Sequence, residues 1–109
     1  MNNESTGWIA AGQLADIPKS GARCFIHANH RVALFRTHDD GVYALEDRCP
    51  HRGGPLSEGM VWGNCVTCPL HGLVIDLADG KAQVPDDGNV PTYPVRIEKG
   101  TVLIRFPIL

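Results

Sequence analysis

Residues 49–71 read CPHRGGPLSEGMVWGNCVTCPLH. Two short segments in this stretch, Cys49-Pro50-His51 and Cys68-Pro69-Leu70-His71, each offer one thiol and one imidazole, and sixteen residues lie between His51 and Cys68. Residues 48–59 are rich in Cys, Pro, His and Gly and have little to bury, which predicts a loop. Residues 60–62 and 65–67 flank Gly63-Asn64, a pair that predicts a short hairpin. The second Cys–His segment begins where that hairpin ends, so 68–72 reads as a second loop. Two loops at the end of a β scaffold can approach each other and close four ligands, Cys49, His51, Cys68 and His71, around a metal centre. Soft thiolates and borderline imidazoles suit zinc or an iron–sulfur cluster.

Outward from this stretch the pattern is one of short strands cut by turns. Residues 8–10 form a possible first strand, and 16–21, with Pro18 and Gly21, read as a loop. Strand-like runs follow at 23–28 and 31–37, split by a turn at Asn29-His30. Val32, Leu34 and Arg36 alternate with Ala33, Phe35 and Thr37, so apolar residues fall on both faces and the pattern does not say which side is buried. Asp39-Asp40-Gly41 is a turn signal before an extended run at 42–45. Beyond the second loop, 73–77 is strand-like and closes at Asp79-Gly80. Residues 85–91 are irregular, and 95–98 and 101–106 pair around a Lys99-Gly100 turn. No long amphipathic helix appears. The fold class is all-β, an antiparallel sandwich or open barrel.

The totals narrow the possibilities. A chain of 109 residues suffices for a single domain over 1–109, with the polar first six residues expected to fray. Hydrophobic residues at 43% and charged residues at 20% exclude a disordered composition. A net charge of −2 with no basic stripe excludes nucleic acid as a partner. The first twenty residues lack a basic start and an apolar stretch, and no run approaches a membrane span, so no membrane partner is expected and a cytoplasmic location is. In that compartment the four cysteines are read as thiols or metal ligands rather than disulfides. Cys24 reads as a strand-core thiol and Cys65 as a strand residue, while His27, His30 and His38 read as packing or solvated side chains. A structural zinc site, and with it an interaction module without redox chemistry, is the rival reading, because Cys65-x-x-Cys68 looks like half of a zinc ribbon. Zinc fingers usually place both His ligands after both Cys ligands, whereas here the two types alternate along the chain.

Cys-x-His, a spacer, then Cys-x-x-His-Gly, with Gly72 closing the second motif, resembles the signature of the Rieske [2Fe–2S] family. The flanks extend the likeness. CPHRGGPLSEGMVWGNCVTCPLHGLVIDLADGKAQ, followed by TYPVRIEKGTVLI, resembles the small subunit of assimilatory NAD(P)H-dependent nitrite reductase, from Trp8 to Ile104. Rieske ferredoxins of aromatic-ring dioxygenases share the size and both loops. They more often carry an aromatic residue where this chain has Ile75 before Asp76.

The resemblance implies a Rieske-like antiparallel β fold with a small two-loop cluster-binding subdomain, approximately 46–76. It implies a [2Fe–2S] cluster on Cys49, His51, Cys68 and His71, with the two Cys on an inner iron and the two His on an outer one. It also implies a one-electron carrier with no catalytic site of its own. The partner would be a large nitrite reductase subunit holding FAD, a [4Fe–4S] cluster and sirohaem, or else an oxygenase or reductase. Respiratory members of the family tie their loops with a disulfide, but here the corresponding position is Leu70 and Gly54 offers no sulfur. They also have a Ser after the His-Gly that donates to a bridging sulfur, where this chain has Leu73. Fewer donors imply a low potential for the class. Arg52, Gly53, Gly54, Pro55, Leu56, Pro69 and Leu70 are expected around the cluster's exposed end, as a small, apolar docking surface.

Overall fold

Residues that tolerate a left-handed backbone separate ten strands among the described residues. The computed structural model describes residues 7–50, 54–70, 72–83 and 88–106. The strands are β1 Trp8–Gln13, β2 Gly21–His27, β3 His30–Arg36, β4 Val42–Glu46, β5 Met60–Trp62, β6 Cys65–Thr67, β7 Val74–Asp76, β8 Thr92–Tyr93, β9 Val95–Glu98 and β10 Thr101–Arg105. Lys99 and Gly100 both have positive φ, 52° and 81°, which is the type I′ pattern whose twist matches the flanking strands. In the β5–β6 hairpin Gly63 alone is positive, at 53°, as type II′ requires. The turn between β2 and β3 falls at Ala28-Asn29, with Ala28 at φ 52°. It lies one residue earlier than expected, and His30 joins β3 opposite His27.

The strands form three antiparallel sheets, ordered β1-β10-β9, β2-β3-β4-β8 and β5-β6-β7. The four-stranded sheet is the middle layer. On one face Val32, Leu34 and Ala44 pack with Ile17, Val102, Ile104 and Phe106. On the other, Ala33, Phe35 and Leu45 pack with Leu56, Val61, Val66, Leu73, Ile75 and Leu77. Residues 32–35 of β3 are therefore all buried. The alternation in that strand is uninformative because both of its faces are core, one towards each outer sheet. Burying side chains of this size stabilises by about 1.5–3 kcal/mol each.

Among the described residues two short 3-10 turns, Leu14–Asp16 and Leu56–Glu58, complete the regular structure. The second corrects an expectation. Leu56 is fully buried in the core beneath the middle sheet and is no part of an apolar surface. β8, two residues long and paired with Ala44 and Leu45, was not anticipated between Pro91 and Pro94.

Candidate metal centre

The first loop leaves β4 and returns at β5, and the second joins β6 to β7. Each is closed by the same bond. The Cys49 N–H donates to the Gly54 carbonyl at 2.8 Å, and the Cys68 N–H donates to the Leu73 carbonyl at 2.8 Å. Each cysteine thus sits at the base of a loop that turns back five residues later. Both are nearly inaccessible, at 1% and 2% exposure, and both belong to one apolar cluster. Pro50, Pro69 and Leu70 of the same loops face solvent.

Two glycines let the loops approach each other. A Cβ on Gly54 would stand 2.6 Å from Leu70 Cδ1, so the first loop accepts the Leu70 side chain only because that position has none. A Cβ on Gly59 would run into the carbonyl oxygen of Thr67, the residue before Cys68. The contact of Leu70 on Gly54 joins the loops without sulfur, and no disulfide links any of the four cysteines. His51 and His71, like Arg52 and Gly53, lie outside the described residues.

The remaining polar groups point away from a role as ligands. Cys65 is a buried strand residue whose thiol donates to Asp76 Oδ1 at 3.2 Å, while Gln83 Nε2 donates to Cys65 Sγ at 3.2 Å and to Asp76 Oδ1 at 2.9 Å. Burial, then the bond to Asp76 and its charge, push this thiol up to about 11, against a smaller lowering by Gln83. Cys24 corrects the sequence reading, since it is half-buried rather than in a core. Burial and then the Asp47 carboxylate raise its pKa. His27 and His30 pack their rings on Phe106 at 4.8 and 5.0 Å, and His30 Nδ1 lies 3.3 Å from the Tyr93 hydroxyl. These two are packing residues, and His38 is exposed, as expected.

Asp47 was missed. Its side chain is fully buried two residues before Cys49, with its oxygens 2.7 Å from the Ser57 N–H and 2.7 Å from the Ser57 hydroxyl. The only signal in the sequence is an Asp just before the first Cys and a Ser near the far end of the same loop.

Two buried sulfurs on adjoining loops, sharing one dry cluster, fit the thiolate half of a two-iron centre, whose charge needs exclusion from water and close protein ligation. Residues 7–105 match the model of the Rieske-like [2Fe–2S] domain family. The chain belongs to that family. Its cofactor is a Rieske-type [2Fe–2S] cluster, in place of the structural zinc considered above, and the Rieske domain is an electron-transfer module.

Among relatives, the chain is 37% identical over 103 residues to a protein named as an iron–sulfur subunit of a toluene-4-sulfonate monooxygenase system from Comamonas testosteroni. That match covers 94% of this chain but only 27% of the larger protein. It is 37% identical over 101 residues to a 3-phenylpropionate/cinnamic acid dioxygenase ferredoxin subunit of Escherichia coli, covering 91% of this chain and 93% of that one. Among solved structures, a small subunit named for NADH-dependent nitrite reductase from Mycobacterium tuberculosis superposes with a TM-score of 0.84 at 24% identity, over 94% of this chain and 96% of that one, a likeness of fold. A second structure, named for the small subunit of an NADPH nitrite reductase, gives 0.79 at 28% identity, over 89% and 96%. A structure of reduced oxygenase with oxidized ferredoxin in carbazole 1,9a-dioxygenase gives 0.82 at 26%, over 91% and 93%. Among the described residues no helix is long and apolar enough to cross a membrane.

Proposed function

We propose that this Rieske domain is the electron-transfer small subunit of an NAD(P)H-dependent nitrite reductase, which reduces nitrite to ammonia on a larger partner subunit. The observation that carries this reading is the resemblance of residues 49–83 and 92–104 to that subunit. The end-to-end likeness to a structure of that name at 28% identity supports it. Cys49 and Cys68 would hold the inner iron, with His51 and His71 on the outer one. The bound cluster supplies one-electron chemistry. The chain's own residues do the rest: the two loops bury the thiols, the Leu70–Gly54 contact holds the loops together, and the apolar cluster around Cys49 and Cys68 excludes water. Complete ligation leaves no position for a substrate, so nitrite would be reduced on the partner.

A second reading is a ferredoxin serving an oxygenase, favoured by the 37% identity to a dioxygenase ferredoxin over nearly its full length. Co-expression with the large sirohaem–flavin subunit separates the two. The small-subunit reading expects the chains to co-purify. A free monomer that ignores that subunit and reduces a ring-hydroxylating oxygenase would instead make it a ferredoxin.

A further inference from the structure

A carboxylate with no exposed surface is costly unless it is bonded and paired. Asp47 is in that position beside the first loop. Both of its oxygens are engaged by Ser57, one by the backbone N–H and one by the hydroxyl, each at 2.7 Å. Asp47 and Ser57 flank the stretch that carries Cys49 and His51, so this pair of hydrogen bonds ties its two ends together. Its own N–H is fixed to the Arg31 carbonyl at 2.8 Å, which ties the closure to β3. Among the described residues Arg31 is the one cation in ion-pair range of Asp47. It is poorly placed to cancel the charge, with Nε at 3.5 Å and a side chain 58% exposed. Cys24 faces the same carboxylate and carries no charge to offset it. Arg48, next in sequence, is paired with Glu46 at 3.6 Å.

The Asp47 charge is therefore only partly balanced, and it lies close to Cys49. Two residues of chain separate their Cα atoms by at most about 7 Å. Reduction adds negative charge to the cluster, and a fixed anion opposes that addition. Across about 10 Å at an effective dielectric constant of about 20, one unit charge shifts an equilibrium on the order of tenfold.

We propose that Asp47 is a positioning residue that clamps the first ligand loop shut through Ser57 and holds down the reduction potential of the cluster. The inference rests on the reading of Cys49 as a ligand. The test is a redox titration of the cluster-loaded chain, followed by its visible and EPR spectra. Asp47→Asn removes the charge while nearly preserving shape. It should keep the spectra and shift the redox equilibrium towards the reduced form on the order of tenfold, which is 59 mV for a one-electron couple. Ser57→Ala leaves the charge in place, so it should leave the potential near that of the parent and speed the loss of iron to a chelator. Asp47→Asn with a full cluster and an unmoved potential overturns the proposal. Should Asp47→Asn fail to hold the cluster, Arg31→Gln is measured in its place. It strips the partial counter-charge at an exposed site and should lower the potential, and no change overturns the proposal. A full cluster in Cys49→Ser would refute the ligand reading instead, whatever Asp47 does.

Discussion

Four cysteines in one small domain differ in what surrounds each sulfur. Cys49 and Cys68 lie at the closed bases of two loops inside a common apolar cluster. Cys24 and Cys65 each face an aspartate. On that division, Cys49→Ser and Cys68→Ser should each abolish the visible spectrum, while Cys24→Ser and Cys65→Ser retain it. A protein bleached by Cys65→Ser but not by Cys49→Ser would reverse the assignment. Cys65 also makes a statement about pH. Its neutral thiol form is the one the fold favours, since its pKa is raised to about 11. A raised folded pKa contributes stability that is fully present below the unfolded thiol value, about 8.5. That contribution is lost as pH climbs from there through about 11. Asp76→Asn removes the charge while leaving burial and a carbonyl oxygen that can still accept from the thiol. Alkylation of Cys65 by iodoacetamide should therefore set in at lower pH in that variant, and an unchanged pH profile would show that Asp76 has no hold on the thiol.

Among the elements, β3 differs from an ordinary amphipathic strand, which tolerates substitution on its solvent face. Here neither face is solvent, so Leu34→Ala and Phe35→Ala, on opposite sides, should both be costly, by about 2–5 kcal/mol each. Denaturant unfolding checks this, and a near-neutral result at either position would mean that its side is not a packed core. The same strand shows how far the sequence could be read. Turn residues delimited most strands to within a residue or two, and the hairpin 60–67 was placed without error because Gly63-Asn64 dictates its own turn. What composition could not reveal was long-range pairing. β8 is held only by a register with Ala44 and Leu45, and its two residues sit between prolines that locally read as irregular. Leu56 looked like surface because its neighbours are Pro, Gly and Ser, but a 3-10 turn carries it under the middle sheet. The two candidate thiols could be named from the sequence, and the structure places both at buried loop bases. The clamp on Asp47 could not, because its partner Ser57 becomes a neighbour only once the loop has closed.

At the scale of the whole molecule, three layers share a single central sheet, and Cys49 and Cys68 belong to only one of the two cores it separates. The backbone amides of β3 are hydrogen-bonded between β2 and β4 and covered above and below. They can meet solvent only when the whole domain opens, so their exchange with deuterium should be the slowest in the chain and should report its global stability. The short β5-β6-β7 sheet has no such double cover, and the sulfurs Cys49 and Cys68 contribute to the core it rests on. Extracting the iron should accelerate exchange there first. Exchange in β9 and β10, whose core contains neither cysteine, should be left nearly as it was. Mass spectrometry of the loaded and stripped forms would show it, and equal acceleration in all three sheets would mean that the layers do not open separately. On that expectation the doubly covered strand acts as a firebreak: local opening around the iron should stop at β3, and the scaffold should keep its fold when the iron leaves.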